Sequence, residues 1–404
     1  MNVDRLPDSL STTGSGADTI VLVVLDGLGG LPHPDTGRTE LESASTPNLD
    51  ALAAGGSLGM LDPVGPGITP GSGPGHLSLF GYDPVGSLVG RGVLSALGVG
   101  FELEHGDVAA RINLATVGPD GVVSDRRAGR PSDAEGRRIV EAVQSSLRPP
   151  DGVEVTVLHE KEHRAVLILR GAGLGGDLSD GDPQHTGLAP LPVAALHTDS
   201  AATADIVRNL LAQVTDILAG EPAANQFLAR GFAQYTSYPS FEERYGLKAI
   251  AVAKYPMYRG VARLVGMSVE GVPGDAAETV SMLGAAYGRY DFYFLHFKDT
   301  DTRGHDCDFD GKVAAIEEVD ELFPGITCLE PDVLIVTGDH STPAIFGEHT
   351  WHSVPVLLHS RWARPTGDVF GESSCRGGDL GTFHGTDLMA LALAHARRLE
   401  KHGA

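Results

Sequence analysis

Ile20-Val-Leu-Val-Val-Leu25 is an unbroken apolar run, rich in β-branched residues and closed by Asp26-Gly27. A run this short, with no polar alternation, predicts a strand buried on both faces, as in a parallel sheet covered by helices. Asp291 to Phe297 and Asp332 to Thr337 read the same way. Each of the three is followed by polar residues, so Asp26, Asp301 and Asp339 fall at or just beyond strand ends. In open α/β sheets the ligand crevice lies outside the carboxyl ends of the strands, so three sequence-distant segments can deliver side chains to one place. Helices are expected between them. Thr46-Pro47-Asn48 starts one and Gly55-Gly56 stops it, and Val313, Ile316, Val319 and Leu322 recur at helical spacing in another.

The side chains gathered at those ends have a common chemistry. Asp339-His340 stands ten residues ahead of His349, and Asp301-Thr-Arg-Gly-His305 lies upstream. Carboxylates and imidazoles at such spacings suit paired divalent cations. Asp26, Ser72, Asp339 and His340 would surround one cation, and Asp301, His305 and His349 the second. His352, three residues beyond His349, is an alternative ligand. The donor set suits Mn²⁺ or Zn²⁺ better than Mg²⁺. Ser72 sits in Pro70-Gly-Ser-Gly-Pro-Gly75, which reads as a loop that frees its hydroxyl for close approach by a metal and a phosphate. Two cations about 4 Å apart would activate that hydroxyl and stabilise the leaving oxygen of an in-line displacement. Ser72 would then become a phosphoserine. A serine in such a loop is ordinarily a turn residue, and a lone histidine is ordinarily packing or surface. The weight here comes from the Asp residues tied to His305 and His340. His76, four residues after Ser72, either orients substrate or packs as a polar residue at a helix start.

Composition limits the partners. The formal charge of −23 over 404 residues argues against nucleic acid or an anionic membrane, which need basic surface. Within so acidic a chain, Asp125-Arg-Arg-Ala-Gly-Arg130 stands out, with Arg111 upstream and Arg259 and Arg263 further on. Arg126, Arg127 and Arg130 suit bidentate recognition of a small organic phosphate bearing a carboxylate; surface ion pairing is the plain alternative. Cys307, Cys328 and Cys375 form no CxxC pair and an odd total, which argues against a disulfide framework. The segment through Asp18 is polar, without a signal peptide or membrane span, so a cytoplasmic location is expected. No signal for an oligomeric state is visible.

Between about Gly106 and Gly274 the pattern changes to shorter strands and two long amphipathic helices, Asp133 to Leu147 and Ala201 to Leu218. None of the metal-ligand candidates falls there. We read residues 106–274 as an inserted α+β substrate-binding or lid domain, and 1–105 with 275–404 as a discontinuous α/β metal domain whose mostly parallel sheet is flanked by helices.

At these residues the chain resembles the 2,3-bisphosphoglycerate-independent phosphoglycerate mutases of the archaeal type, within the alkaline phosphatase superfamily. The likeness runs through Leu25-Asp26-Gly27, Ser45-Thr-Pro-Asn-Leu-Asp50, the serine loop into His76-Leu-Ser-Leu-Phe-Gly-Tyr-Asp-Pro84, Gly90-Arg-Gly92, Asp125 to Arg130 and Ala262-Arg-Leu-Val-Gly-Met267. Asp301 to His305, Gly338-Asp-His340 and His349-Thr-Trp-His-Ser-Val-Pro355 complete it. The resemblance implies an alkaline-phosphatase-like metal domain. In that family a His followed by a short spacer and Val-Pro supplies the last metal ligand, and His349 rather than His352 holds the matching offset. It also implies that Ser72 takes the phosphoryl group from 3-phosphoglycerate and returns it to the 2-hydroxyl, under a second domain that excludes water. The chain departs from the family in having Gly73 where an Asp commonly follows the serine, and Cys307 where a Gly is usual. A phosphohydrolase, or a mutase acting on another small phosphate or phosphonate ester, would use the same ligands. A metal-binding protein without catalysis would not need Ser72.

Overall fold

The computed structural model describes residues 6–12, 18–86 and 89–403. Twelve strands follow in chain order: β1 (Ile20–Leu25), β2 (Ser57–Asp62), β3 (Val108–Val117), β4 (Val123–Asp125), β5 (Val153–Lys161), β6 (Arg164–Gly171), β7 (Gln226–Gln234), β8 (Ala249–Ala253), β9 (Phe292–Phe297), β10 (Val333–Thr337), β11 (Val354–Ser360) and β12 (Gly381–His384). The chain divides into two compact units, residues 1–88 with 239–404, and residues 89–238.

The first unit is built on a seven-stranded sheet of order β12-β2-β11-β10-β1-β9-β8. β1 lies at its heart, pairing in parallel with β9 on one side and β10 on the other. Every residue of these three strands is buried, as unbroken apolar runs require. Only β11 runs against the others. The pairings are nearly flush at their carboxyl ends, Leu25 opposite Phe297 and Val24 opposite Thr337. The residues that follow therefore emerge at one edge of the sheet. Helices Pro47–Gly55, Ala276–Ala286 and Phe309–Thr327 bury their apolar stripes through Leu49, Leu283, Ile316 and Phe323, in the same cluster as Val21, Val23 and Leu25. Asp320 fixes the first of these helices by accepting hydrogen bonds from the amides of Asn48 and Leu49, because the Thr46 side chain makes no cap.

The second unit is an antiparallel sheet of order β4-β3-β6-β5, with β7 on the other side of β3. Helices Asp133–Ser146 and Ala201–Ile217 share its core through Ile139, Val143, Val207 and Leu210. Among the described residues no helix is long and apolar enough to cross a membrane.

The sequence-based limits of 106 and 274 for the insertion are displaced at both ends. Helix Arg91–Gly98 belongs to the second unit, where a Cβ on Gly92 would strike the backbone of Ala109 in β3. Residues 239–274 belong to the first unit, because β8 completes its sheet beside β9 and helix Pro256–Leu264 follows it. β8 is short and carries no candidate ligand, so its residues read like the neighbouring short strands.

Candidate active site

Three segments meet at the carboxyl edge of β1, β9 and β10. Asp26 directly follows β1, Asp301 and His305 lie on helix Asp299–His305 after β9, and Asp339-His340 follow β10. Gly27 turns the chain at φ 62°, where a side chain would strike both Thr342 and Asp301.

Ser72 is not in a loop, as its Gly-Pro surroundings suggested. It opens helix Ser72–Leu79, with Gly71 at the N-cap position. The amides of the first turn point away from the helix body and favour an anion there. Gly75 is needed for a second reason, since a Cβ would overlap the carbonyl of Asp339. That close approach brings Ser72 Oγ to 3.2 Å from His340 Nε2.

Asp26, Asp339 and His340 form one group able to hold a metal ion, and Asp301, His305 and His349 a second. His340 Nε2 lies 3.2 Å from Asp26 Oδ1 and 3.3 Å from Asp339 Oδ2. Asp301 Oδ1 lies 3.6 Å from both His305 Nε2 and His349 Nε2. The His340 and His349 rings stack with centroids 3.7 Å apart, so the two groups adjoin. His352 instead turns toward Thr350 and stacks on Trp351.

These donors fit divalent cations. Asp26 Oδ1 and Asp339 Oδ2 are buried without a well-formed hydrogen bond, with imidazole nitrogens of His340 and His76 at 3.2 to 3.3 Å as neighbours, and a divalent cation would satisfy them more fully. The imidazoles are oriented from behind, His349 Nδ1 by the Pro70 carbonyl at 2.8 Å, His305 Nδ1 by the Gly347 carbonyl at 3.1 Å and His340 Nδ1 by Thr342 Oγ1 at 2.9 Å. Such partners fix the ring and leave Nε2 for a metal.

Several side chains here escaped the sequence reading. Lys298 reaches both centres, its Nζ 2.9 Å from Asp26 Oδ2 and hydrogen-bonded to Asp301. Tyr258 donates to Asp26 and stacks on His296 at 3.6 Å. Burial raises the Asp26 carboxyl, but Lys298, His296 and His340 outweigh it and hold the group well below the usual range. Burial lowers His340, but Asp339 and Asp26 outweigh it and raise its pKa. The signal that could have found Lys298 is its place one helical turn before Asp301. Tyr258 and His296 carried no comparable signal. His76 is fully buried on the Ser72 helix, with Nδ1 2.8 Å from the Ser72 carbonyl and 3.2 Å from Asp339 Oδ2. It packs behind the centre, among Phe80, Tyr258 and Phe294.

The arginines divide. Arg259 and Arg263 belong to the first unit, on the helix that carries Tyr258, rather than to the insertion. The others lie in the second. Arg111 on β3 faces Arg230 on β7 in direct register, and Arg164 on β6 faces Asn113. Like charges directly opposed across strands are destabilising, and buried carboxylates partly offset them, Glu160 at 3.6 Å from Arg111 and Asp182 at 3.6 Å from Arg230. Burial pushes the Arg111 guanidinium down to about 10; Glu160 opposes the shift, and Arg164, Arg230 and Arg91 add to it. Arg126 does not project freely. Asp182 grips it through two hydrogen bonds of 2.9 and 2.6 Å and lies 3.6 Å from Arg230. Arg127 and Arg130 are exposed on a tight turn, in which Asp125 accepts from the amides of Arg127 and Gly129. Arg164 and Arg230 were missed as members because antiparallel register, not spacing, brings them near Arg111, and Arg91 because it comes from a separate helix, Arg91–Gly98.

A curated relative from Thermus thermophilus, designated a probable 2,3-bisphosphoglycerate-independent phosphoglycerate mutase, is 50% identical over 389 residues, covering 95% of this chain and 96% of its own. The chain belongs to the 2,3-bisphosphoglycerate-independent phosphoglycerate mutases. It is thus an enzyme of an isomerase family, with a small phosphorylated substrate. A Deinococcus radiodurans relative of the same designation is 49% identical over 392 residues, covering 95% of this chain and 96% of its own. The family profile for 2,3-bisphosphoglycerate-independent phosphoglycerate mutase matches residues 53–224. Among solved structures, a Pyrococcus horikoshii protein superposes with a TM-score of 0.81 at 30% identity, covering 96% of this chain and 99% of its own. The cofactor-independent phosphoglycerate mutase of Thermoplasma acidophilum gives 0.70 at 29%, covering 94% of this chain and 99% of its own.

Proposed function

We propose that this mutase interconverts 3-phosphoglycerate and 2-phosphoglycerate with Ser72 as the transient phosphoryl carrier. The observation that carries the reading is the position of Ser72 Oγ, on a helix N-terminus and 3.2 Å from His340 Nε2. The bond from Ser72 Oγ to phosphorus forms as the bond from phosphorus to the C3 oxygen breaks. The proton lost by Ser72 is balanced by one gained at the departing oxygen. The 2-hydroxyl then takes the group back by the same displacement in reverse. The amides of the first helical turn favour the phosphoserine anion between the two transfers, and Tyr258 and Lys298 hold Asp26 in place.

Asp26, Ser72, Asp339 and His340 would hold one divalent cation, and Asp301, His305 and His349 the other, Mn²⁺ or Zn²⁺ by the chemistry of the donors. Bound there, the cations would supply positive charge to the phosphoryl oxygens and lower the pKa of the serine hydroxyl. Arg111 and Arg230, with Arg91 and Arg164 beside them, would recognise the substrate carboxylate or phosphate. Asp182 keeps Arg126 and Arg230 oriented for that task.

The test is a trapping experiment. Mn²⁺-loaded protein is mixed with phosphorus-labelled 3-phosphoglycerate, quenched in acid and mapped by mass spectrometry. Label on the peptide containing Ser72, absent from Ser72→Ala, is expected; turnover without label at Ser72 would overturn the phosphoserine route.

A further inference from the structure

Lys312 lies one turn into helix Phe309–Thr327 and is wholly buried. Its ammonium donates to three main-chain carbonyls, Gly27 at 2.9 Å, Gly29 at 3.2 Å and Thr342 at 2.9 Å. An ammonium has three donors, and all three are used. Its nearest carboxylate, Glu40 Oε1, is 3.9 Å away and also accepts from the Ala344 amide at 2.7 Å. A buried charge so loosely paired is an expensive way to fill space, and an apolar side chain would ordinarily serve stability as well. Gly27 and Gly29 also already accept from the Thr342 amide, at 3.2 and 3.1 Å. What the ammonium adds is geometry.

The bonded carbonyls lie next to proposed metal ligands on separate segments. Gly27 adjoins Asp26, and its amide donates to Asp339 Oδ1 at 3.1 Å. Thr342 stands two residues after His340, donates through Oγ1 to Asp301 Oδ1 at 2.8 Å and lies 2.9 Å from His340 Nδ1. The helix bearing Lys312 follows the one that supplies Asp301 and His305. We infer that Lys312 is a positioning residue, whose ammonium ties together the three ligand-bearing segments and sets the separation of the two cation sites. This rests on the two-metal reading above.

Full-length wild type, Lys312→Met and Lys312→Gln are stripped with chelator, checked for folding by circular dichroism and titrated with Mn²⁺ alone under electron paramagnetic resonance. Wild type is expected to bind a pair of ions with an exchange-coupled signal. In folded Lys312→Met the ions bind about tenfold or more weakly and the coupling changes, the scale of effect usual for partners behind metal ligands. Its kcat falls while KM stays within about twofold, since substrate binding is spared. Lys312→Gln, which keeps an N–H donor group, falls between. A folded Met variant with wild-type affinity and signal overturns the inference alone. Wild type that binds no Mn²⁺ overturns it together with the two-metal reading. Should the Met variant fail to fold, the Gln variant decides by the same comparison with wild type.

Discussion

The molecule holds two concentrations of charge, and they are made in opposite ways. In the first unit, carboxylates and imidazoles crowd the ends of parallel strands, and buried oxygens of Asp26 and Asp339 lack well-formed hydrogen bonds. In the second, Arg111 and Arg230 oppose each other across an antiparallel pair, with Arg91 and Arg164 nearby. On the proposed reading, cations would complete one arrangement and an anion the other. If the proposed roles hold, the groups that run the chemistry are separated from those that recognise the substrate, within a chain that is strongly acidic as a whole.

Removing each part in turn separates the two regions. Ser72→Ala should lower kcat by on the order of 10⁴-fold or more, as loss of a nucleophile does, while Mn²⁺ binding by the Asp301 group survives in a direct titration. Retained turnover would remove Ser72 from the chemistry. Asp301→Asn should abolish binding at the second cation site and cut activity on the order of 10²-fold or more; unchanged metal stoichiometry would move that ligand elsewhere. Arg230→Met should raise KM roughly tenfold or more through loss of a charge-assisted contact, with Mn²⁺ affinity untouched. A matching fall in metal affinity would erase the division of labour between the two regions.

Much of the first region was legible in sequence because strand ends place their next residues predictably. Asp26, Asp301 and Asp339 followed from three apolar runs, and their neighbours His305 and His340 from short spacing. Ser72 was located, but its helix was not, since Gly and Pro read as loop when Gly75 is in fact demanded by the Asp339 backbone. The second region was only half legible. Arg111 and the 125–130 box stood out by composition, whereas Arg230 is 119 positions from Arg111 (230 less 111) and meets it only through β3–β7 register. The unit boundary was misjudged for a related reason, as β8 is assigned to its sheet by pairing with β9.

Because its buried carboxylate neighbours raise the pKa of His340, the metal-free centre retains a proton that a cation must displace. Mn²⁺ affinity should therefore rise with pH up to that raised pKa and then level, and fall below it by up to about tenfold per unit. A flat profile by equilibrium dialysis would show His340 to be neutral throughout. Cys307 adopts φ 57°, a left-handed conformation that favours glycine. Cys307→Gly should leave stability unchanged or raise it by up to about 1 kcal/mol, read from denaturant melts, and a clear loss would mean that the thiol packs usefully.

Phosphoryl transfer without hydrolysis is measured by incubating Mn²⁺-reconstituted protein with 3-phosphoglycerate, in the absence of bisphosphoglycerate, and following products by phosphorus NMR. 2-Phosphoglycerate is expected to appear while free phosphate does not. Release of phosphate in step with substrate loss, or no 2-phosphoglycerate at all, would contradict that expectation.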